Sequence, residues 1–91
     1  MPDGAPPPDD PYEQAKRCLE IIVAALAELG ATPADVVRTR VYITAAEIWE
    51  GVARAHGEVF SEIQPASATL VITGLLDPPF LVEIEADAIV D

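Results

Sequence analysis

The order in which patterns appear along this chain, helix, strand, helix, strand, strand, predicts an α+β domain whose helices cover one face of a small sheet. Three observations carry that reading. Ala15, Leu19, Ile22, Leu26 and Leu29 recur at helical spacing. Val36 to Ile43 is a β-branched and aromatic run that alternates from Val37 onward. In the C-terminal run, Val82, Ile84, Ala86 and Ala88 share one face, while Glu83, Glu85 and Asp87 share the other.

The first helix is read from about Tyr12 to Leu29. Glu13, Lys16, Arg17, Glu20 and Glu28 fill its other faces, and Gly30 stands where a C-terminal cap is needed. Thr32-Pro33-Ala34-Asp35 reads as one capped helical turn. In the strand that follows, Val37, Thr39, Val41 and Ile43 are expected on the apolar side, with Arg38, Arg40 and Tyr42 opposite.

Thr44 and Glu47 have capping-box spacing and are expected to start the second helix. Its stripe is Ile48, Val52, Ala55 and Val59, flanked by Trp49 and Phe60. That helix must stop before Pro65, because a residue preceding proline is pushed out of the helical region. A strand from Ala66 to Thr73, a turn at Gly74 to Pro79 and a last strand from Phe80 to Val90 complete the order.

Composition bounds the rest. Ninety-one residues make a single domain that buries only roughly 60 to 65% of its unfolded surface, so association with other copies would help it. Residues 1–11 hold five of the nine prolines and three aspartates, a composition that builds no core, and they are expected to form a disordered leader to the domain at 12–91. Sixteen acidic against five basic residues give a net charge of −11, which repels nucleic acid and anionic membrane surfaces alike. The lone Cys18, and the lack of any apolar run of membrane-spanning length, point to a reduced cytoplasmic protein.

No metal set, phosphate loop or cofactor motif is legible, so neither metal nor cofactor is expected. His56, the single histidine, reads as a partly buried helix residue among Trp49, Ala53 and Phe60, and Cys18 as a packing residue. The three acids of the last strand need water, cations such as Arg38 and Arg40, or a neighbouring subunit opposite them. The helix-free side of the sheet is therefore expected to be a polar interface or cleft.

The segment Val36-Val37-Arg38-Thr39-Arg40-Val41-Tyr42-Ile43, the stretch Pro65-Ala66-Ser67-Ala68-Thr69 and the ending Val82-Glu83-Ile84-Glu85-Ala86 together resemble the reactive-intermediate deaminase (RidA, or YjgF/UK-type) family. The resemblance implies a chorismate-mutase-like mixed sheet with two helices on one face, assembled as a homotrimer whose intersubunit clefts bind small carboxylic acids. In deaminating members an arginine grips the substrate carboxylate, and a glutamate on the last strand positions the water that hydrolyses an enamine or imine such as 2-aminoacrylate.

Carried over, that glutamate is Glu83, the arginine's place is held by Ser67, and the cleft cysteine of some relatives falls at Thr69. A neutral hydroxyl cannot make the bidentate, charge-assisted pair an arginine makes. The expected function is thus binding of a small metabolite between subunits, near Ser67, Thr69 and Glu83, without the usual deaminase activity. The alternative is an enamine/imine deaminase in which Arg38, Arg40 or a neighbouring chain supplies the cation. The resemblance also implies N-terminal strands with a Ser-Gly-Gln-like segment; residues 1–11 hold nothing similar, so the domain is expected to be N-terminally shortened. Ribonuclease activity, attributed to some relatives, finds no basic stripe or stacking platform here.

Overall fold

The structure, a computed structural model, describes residues 9–76 and 79–90. Most of the expected leader, residues 1–8, lies outside them, as do 77–78 within the expected turn. The elements are α1 (Pro11–Glu28), β1 (Val36–Ile43), α2 (Trp49–Phe60), β2 (Ala66–Val71) and β3 (Val82–Ala88). Short 3-10 turns at Pro33–Asp35 and Ala46–Ile48 precede β1 and α2.

Helix α1 starts one residue earlier than the apolar periodicity indicates. The Asp10 carboxylate accepts a hydrogen bond from the Glu13 backbone N–H at 3.1 Å, and Pro11 takes the first helical position, where a missing N–H costs nothing. The helix ends as expected: Gly30 adopts φ +80°, its N–H donates to the Ala27 carbonyl, and the Ala31 N–H reaches back to the Leu26 carbonyl. Both backward bonds need the left-handed residue between them, which glycine adopts without strain.

Strand β1 is central, in the order β2-β1-β3. It runs parallel to β2, with α2 as the crossover, and antiparallel to β3. Its alternation holds from Thr39: Thr39, Val41 and Ile43 are buried under the helices, whereas Arg38, Arg40 and Tyr42 face away. Val37 departs from expectation and is 45% exposed. Val36 pairs with Ala88 and Arg38 with Asp87, so Val37 is the extra residue of a β-bulge, and Val36 takes the buried place instead.

The core joins Ala15, Leu19 and Leu26 of α1 and Val52, Ala55 and Phe60 of α2 to Val41, Ile43, Val82 and Ile84 of the sheet. Phe60 is thus a core residue, while Trp49 at the start of α2 is exposed. The Thr44–Glu47 capping box does not form. The chain enters α2 through the turn Ala46–Ile48, preceded by an extended Ala45, and no side chain caps it. Buried Gln14 ties α1 to the segment before β3: its Nε2 donates to the Pro79 carbonyl at 2.8 Å and its Oε1 accepts from the Leu81 N–H at 2.7 Å.

Candidate functional site

Parallel register sets Ser67 beside Thr39 and Thr69 beside Val41, so both β2 hydroxyls lie on the helix side of the sheet. Antiparallel register sets Glu83 beside Tyr42, on the opposite face and the opposite flank of β1. A single chain therefore does not bring Ser67 and Thr69 together with Glu83. All six residues of β2 are exposed, and Glu83 is exposed on β3.

The open face of the sheet carries a charge network. Arg40 Nε lies 3.0 Å from Glu85 Oε1, Arg40 Nη1 lies 3.4 Å from Asp87 Oδ2, and the Tyr42 hydroxyl donates to Glu85 Oε1 at 3.0 Å. The contact with Arg40, and then that with Tyr42, hold the Glu85 carboxyl below its usual range. Hydrogen bonding to Glu85 pushes both Arg40 and Tyr42 up. The register that sets Arg40 beside Glu85, with Asp87 two residues on along the same face, is what makes a cation meet acids here. Arg38 is exposed and has no ion-pair partner among the described residues. With Thr39, Arg40, Ala66, Ser67 and Ala68 it lines a hollow of about 270 Å³.

On the helix side a second polar group stands out. Thr39, fully buried, places its Oγ1 2.9 Å from His56 Nε2 on α2 and 2.8 Å from Ser67 Oγ on β2. His56 is half-buried and tilted against Phe60, ring centroids 4.9 Å apart, and burial pushes its imidazole below the usual histidine range. Alternation along β1 does not by itself reveal this linkage. The signal for it was a threonine on a face otherwise built of valine and isoleucine: a buried hydroxyl must find a partner, and the neighbouring elements supply a serine and the chain's only histidine.

Cys18 is partly buried, its Sγ 4.0 Å from the Val82 carbonyl. Burial and then the charge of Glu83 push its thiol up, so it is a packing thiol rather than a thiolate nucleophile. Among the described residues no group of three or more His, Cys, Asp or Glu is arranged to hold a metal ion. Among them, too, no helix is long and apolar enough to cross a membrane.

A mixed sheet with two helices on one face, a charged open face and a hydroxyl-lined edge strand defines a class of α+β domain that recurs among known proteins. The profile of the endoribonuclease L-PSP family matches residues 2–90, and the chain belongs to that family, which includes the RidA/YjgF proteins. It is 39% identical over 79 residues to an uncharacterised protein of Streptomyces coelicolor, covering 87% of this chain and 59% of that one. It is 35% identical, also over 79 residues, to a RutC family protein of Pyrococcus abyssi, covering 87% and 61%. Among solved structures, a YjgF/YER057c/UK114 family member from Mycobacterium tuberculosis superposes with a TM-score of 0.89 at 44% identity, covering 91% of this chain and 70% of that one. Escherichia coli TdcF, solved with bound serine, shares the fold at a TM-score of 0.91 and 23% identity, covering all of this chain and 73% of its own. The chain spans about three fifths of the length of the curated relatives it matches.

Proposed function

We propose that this chain binds a small metabolite in a cleft between copies of itself, in a cytoplasmic homotrimer, and lacks the 2-aminoacrylate deaminase activity of RidA-type enzymes. The distribution of positive charge carries this reading. Ser67, where the resemblance places the substrate-gripping arginine, is neutral; Arg40 is engaged by Glu85 and Asp87; and Arg38 springs from the opposite face of β1, reaching only the rim of the hollow that Ser67 lines. Charge-assisted contacts contribute roughly 1.5 to 3 kcal/mol each, so losing a bidentate pair weakens carboxylate binding by about a hundredfold or more. An acid such as Glu83 adds repulsion to a carboxylate rather than grip.

Assembly is supported by the position of the two groups. Ser67 and Thr69 lie on one flank of the sheet and Glu83 on the other, so only two copies together can line one cleft with all three. Both outer strands also need cover as sheet edges. The net charge of −11 argues against nucleic acid as a partner, whatever the family's name implies.

A second reading has its own support: Arg38, unpaired among the described residues and lining the same hollow as Ser67, can donate to a carboxylate there and restore an enamine/imine deaminase. Ammonia release from 2-aminoacrylate, generated in situ by a dehydratase, separates the two. The binding reading predicts the uncatalysed rate for both the wild type and Glu83→Ala. A wild-type rate well above background that falls in Glu83→Ala and in Arg38→Ala establishes the enzyme instead.

A further inference from the structure

We infer that His56, acting through Thr39, fixes Ser67 as an outward hydrogen-bond donor, so that the β2 edge selects ligands presenting an acceptor oxygen. This inference rests on the proposed cleft and names the chemistry of what enters it.

Three side chains from three elements form one chain of hydrogen bonds: His56 on α2, Thr39 on β1 and Ser67 on β2. The middle hydroxyl has one proton, so the chain runs in one direction only. Either hydroxyl can donate across the 2.8 Å Thr39–Ser67 contact; because the exposed Ser67 can turn its own proton outward, Thr39 Oγ1 is taken as the donor, which uses that proton. The 2.9 Å contact with His56 must then be a donation from Nε2–H to Thr39. Ser67 accepts one bond and makes no other among the described residues, so its own proton is directed to the exposed edge.

Of the three states an imidazole can adopt, the Nε2–H tautomer and the imidazolium both enforce this direction. Only the Nδ1–H tautomer would reverse it. Thr39 and His56 are positioning residues in this scheme, and Ser67 is the group that meets the ligand.

The ligand preference follows from the charge on the ring. A neutral imidazole gives a neutral donor chain, suited to a carbonyl oxygen. The imidazolium polarises the same chain and adds a positive charge three hydrogen bonds from the ligand, which favours a carboxylate. Other ionisable groups around α2 are directed elsewhere. Glu58 accepts from Tyr12 of α1 at 2.7 Å, and Arg54 stacks on the Tyr12 ring. Arg38 and Arg40 of β1 spring from the opposite face of the sheet and border the hollow that Thr39 and Ser67 line, Tyr42 lies across the sheet, Lys16 and Glu20 of α1 border a groove with Glu58, β2 has no ionisable side chain, and Glu47, Glu50 and Glu62 are exposed at the ends of α2. Burial alone accounts for the lowered imidazole, leaving it neutral at neutral pH.

The test uses the single histidine as its own probe. Nitrogen-15 NMR of the full chain above the histidine range is expected to show His56 as the Nε2–H tautomer; a bare Nε2 there overturns the inference. Binding of pyruvamide and of pyruvate is then followed by NMR across the His56 titration. Pyruvamide affinity stays level, while pyruvate tightens by about tenfold as pH falls, the factor that one unit of pKa coupling supplies. Thr39→Val abolishes the tightening, Thr39→Ser keeps it, and His56→Gln, whose amide still donates, binds pyruvamide with no pH dependence for either ligand. Pyruvate tightening that survives in Thr39→Val contradicts the relay. Failure of both ligands to bind the folded protein at every pH overturns the cleft itself, while the tautomer measurement still decides the direction of the chain.

Discussion

The two flanks of β1 differ in what holds them. On the β3 side, Val82 and Ile84 reach into the core and Arg40, Glu85, Asp87 and Tyr42 knit the open face, so apolar contact and charge both serve the fold. On the β2 side every residue is exposed, Leu70 and Val71 included, and the side-chain polar link to the rest of the protein is the Ser67–Thr39–His56 chain. The same central strand thus carries a flank knitted into the core and a flank left exposed. What differs is where the cations and the large apolar side chains were placed.

Paired truncations break that comparison most strongly. Ile84→Ala, at 9% exposure, is expected to cost about 2 to 4 kcal/mol in urea unfolding, through lost transfer energy and an unfilled cavity. Leu70→Ala, at 45% exposure, should stay within about 0.5 kcal/mol for the isolated chain. If copies assemble through β2, Leu70→Ala instead makes stability depend more steeply on protein concentration. Gln14→Ala strands the Leu81 N–H and Pro79 carbonyl that lead into β3, at a cost of about 1 to 3 kcal/mol in the same measurement. Gly30→Ala meets no neighbouring atom, so its cost, about 1 kcal/mol, comes only from forcing a Cβ into the left-handed region.

The pH effects are the smallest and have opposite origins on the two flanks. His56 has a folded pKa below its ordinary value, so the unfolded chain binds the proton more readily. Stability should fall as pH drops through the usual histidine range toward the lowered folded value, and His56→Gln should remove that slope. Glu85 is also lowered, by Arg40 and Tyr42. Its contribution is present above the ordinary carboxylate range and is lost as pH falls through its folded pKa. Glu85 is exposed and Arg40 only partly buried, so added salt should blunt the Glu85 effect and leave the His56 slope.

How much of this was legible depended on whether the cause was local. The α1 periodicity and the Gly30 cap were readable because each is dictated by a few consecutive residues. The charge pairing was readable in kind, since cations and acids alternate on strands that had to be neighbours. Val37 was not, because a bulge arises from pairing with another strand and leaves no mark on a run of valines and arginines. The start of α2 was misplaced because Thr44 and Glu47 have the spacing of a capping box but the chain turns through Ala46–Ile48 instead. At the candidate site, Ser67, Thr69 and Glu83 could be named from resemblance, yet their separation onto opposite faces follows only from register. Thr39 escaped notice because alternation sorts residues by side, and its partners come from elements 17 and 28 residues away.

The central claim, that a neutral edge serine makes this a binding relative rather than a carboxylate-gripping enzyme, is tested most directly by titrating pyruvate at neutral pH into the wild type and Ser67→Arg. The wild type should show no saturation at low millimolar pyruvate, and Ser67→Arg should bind about a hundredfold more tightly, the factor expected for a restored bidentate pair. Saturation of the wild type at low millimolar pyruvate, with no gain in Ser67→Arg, would contradict it.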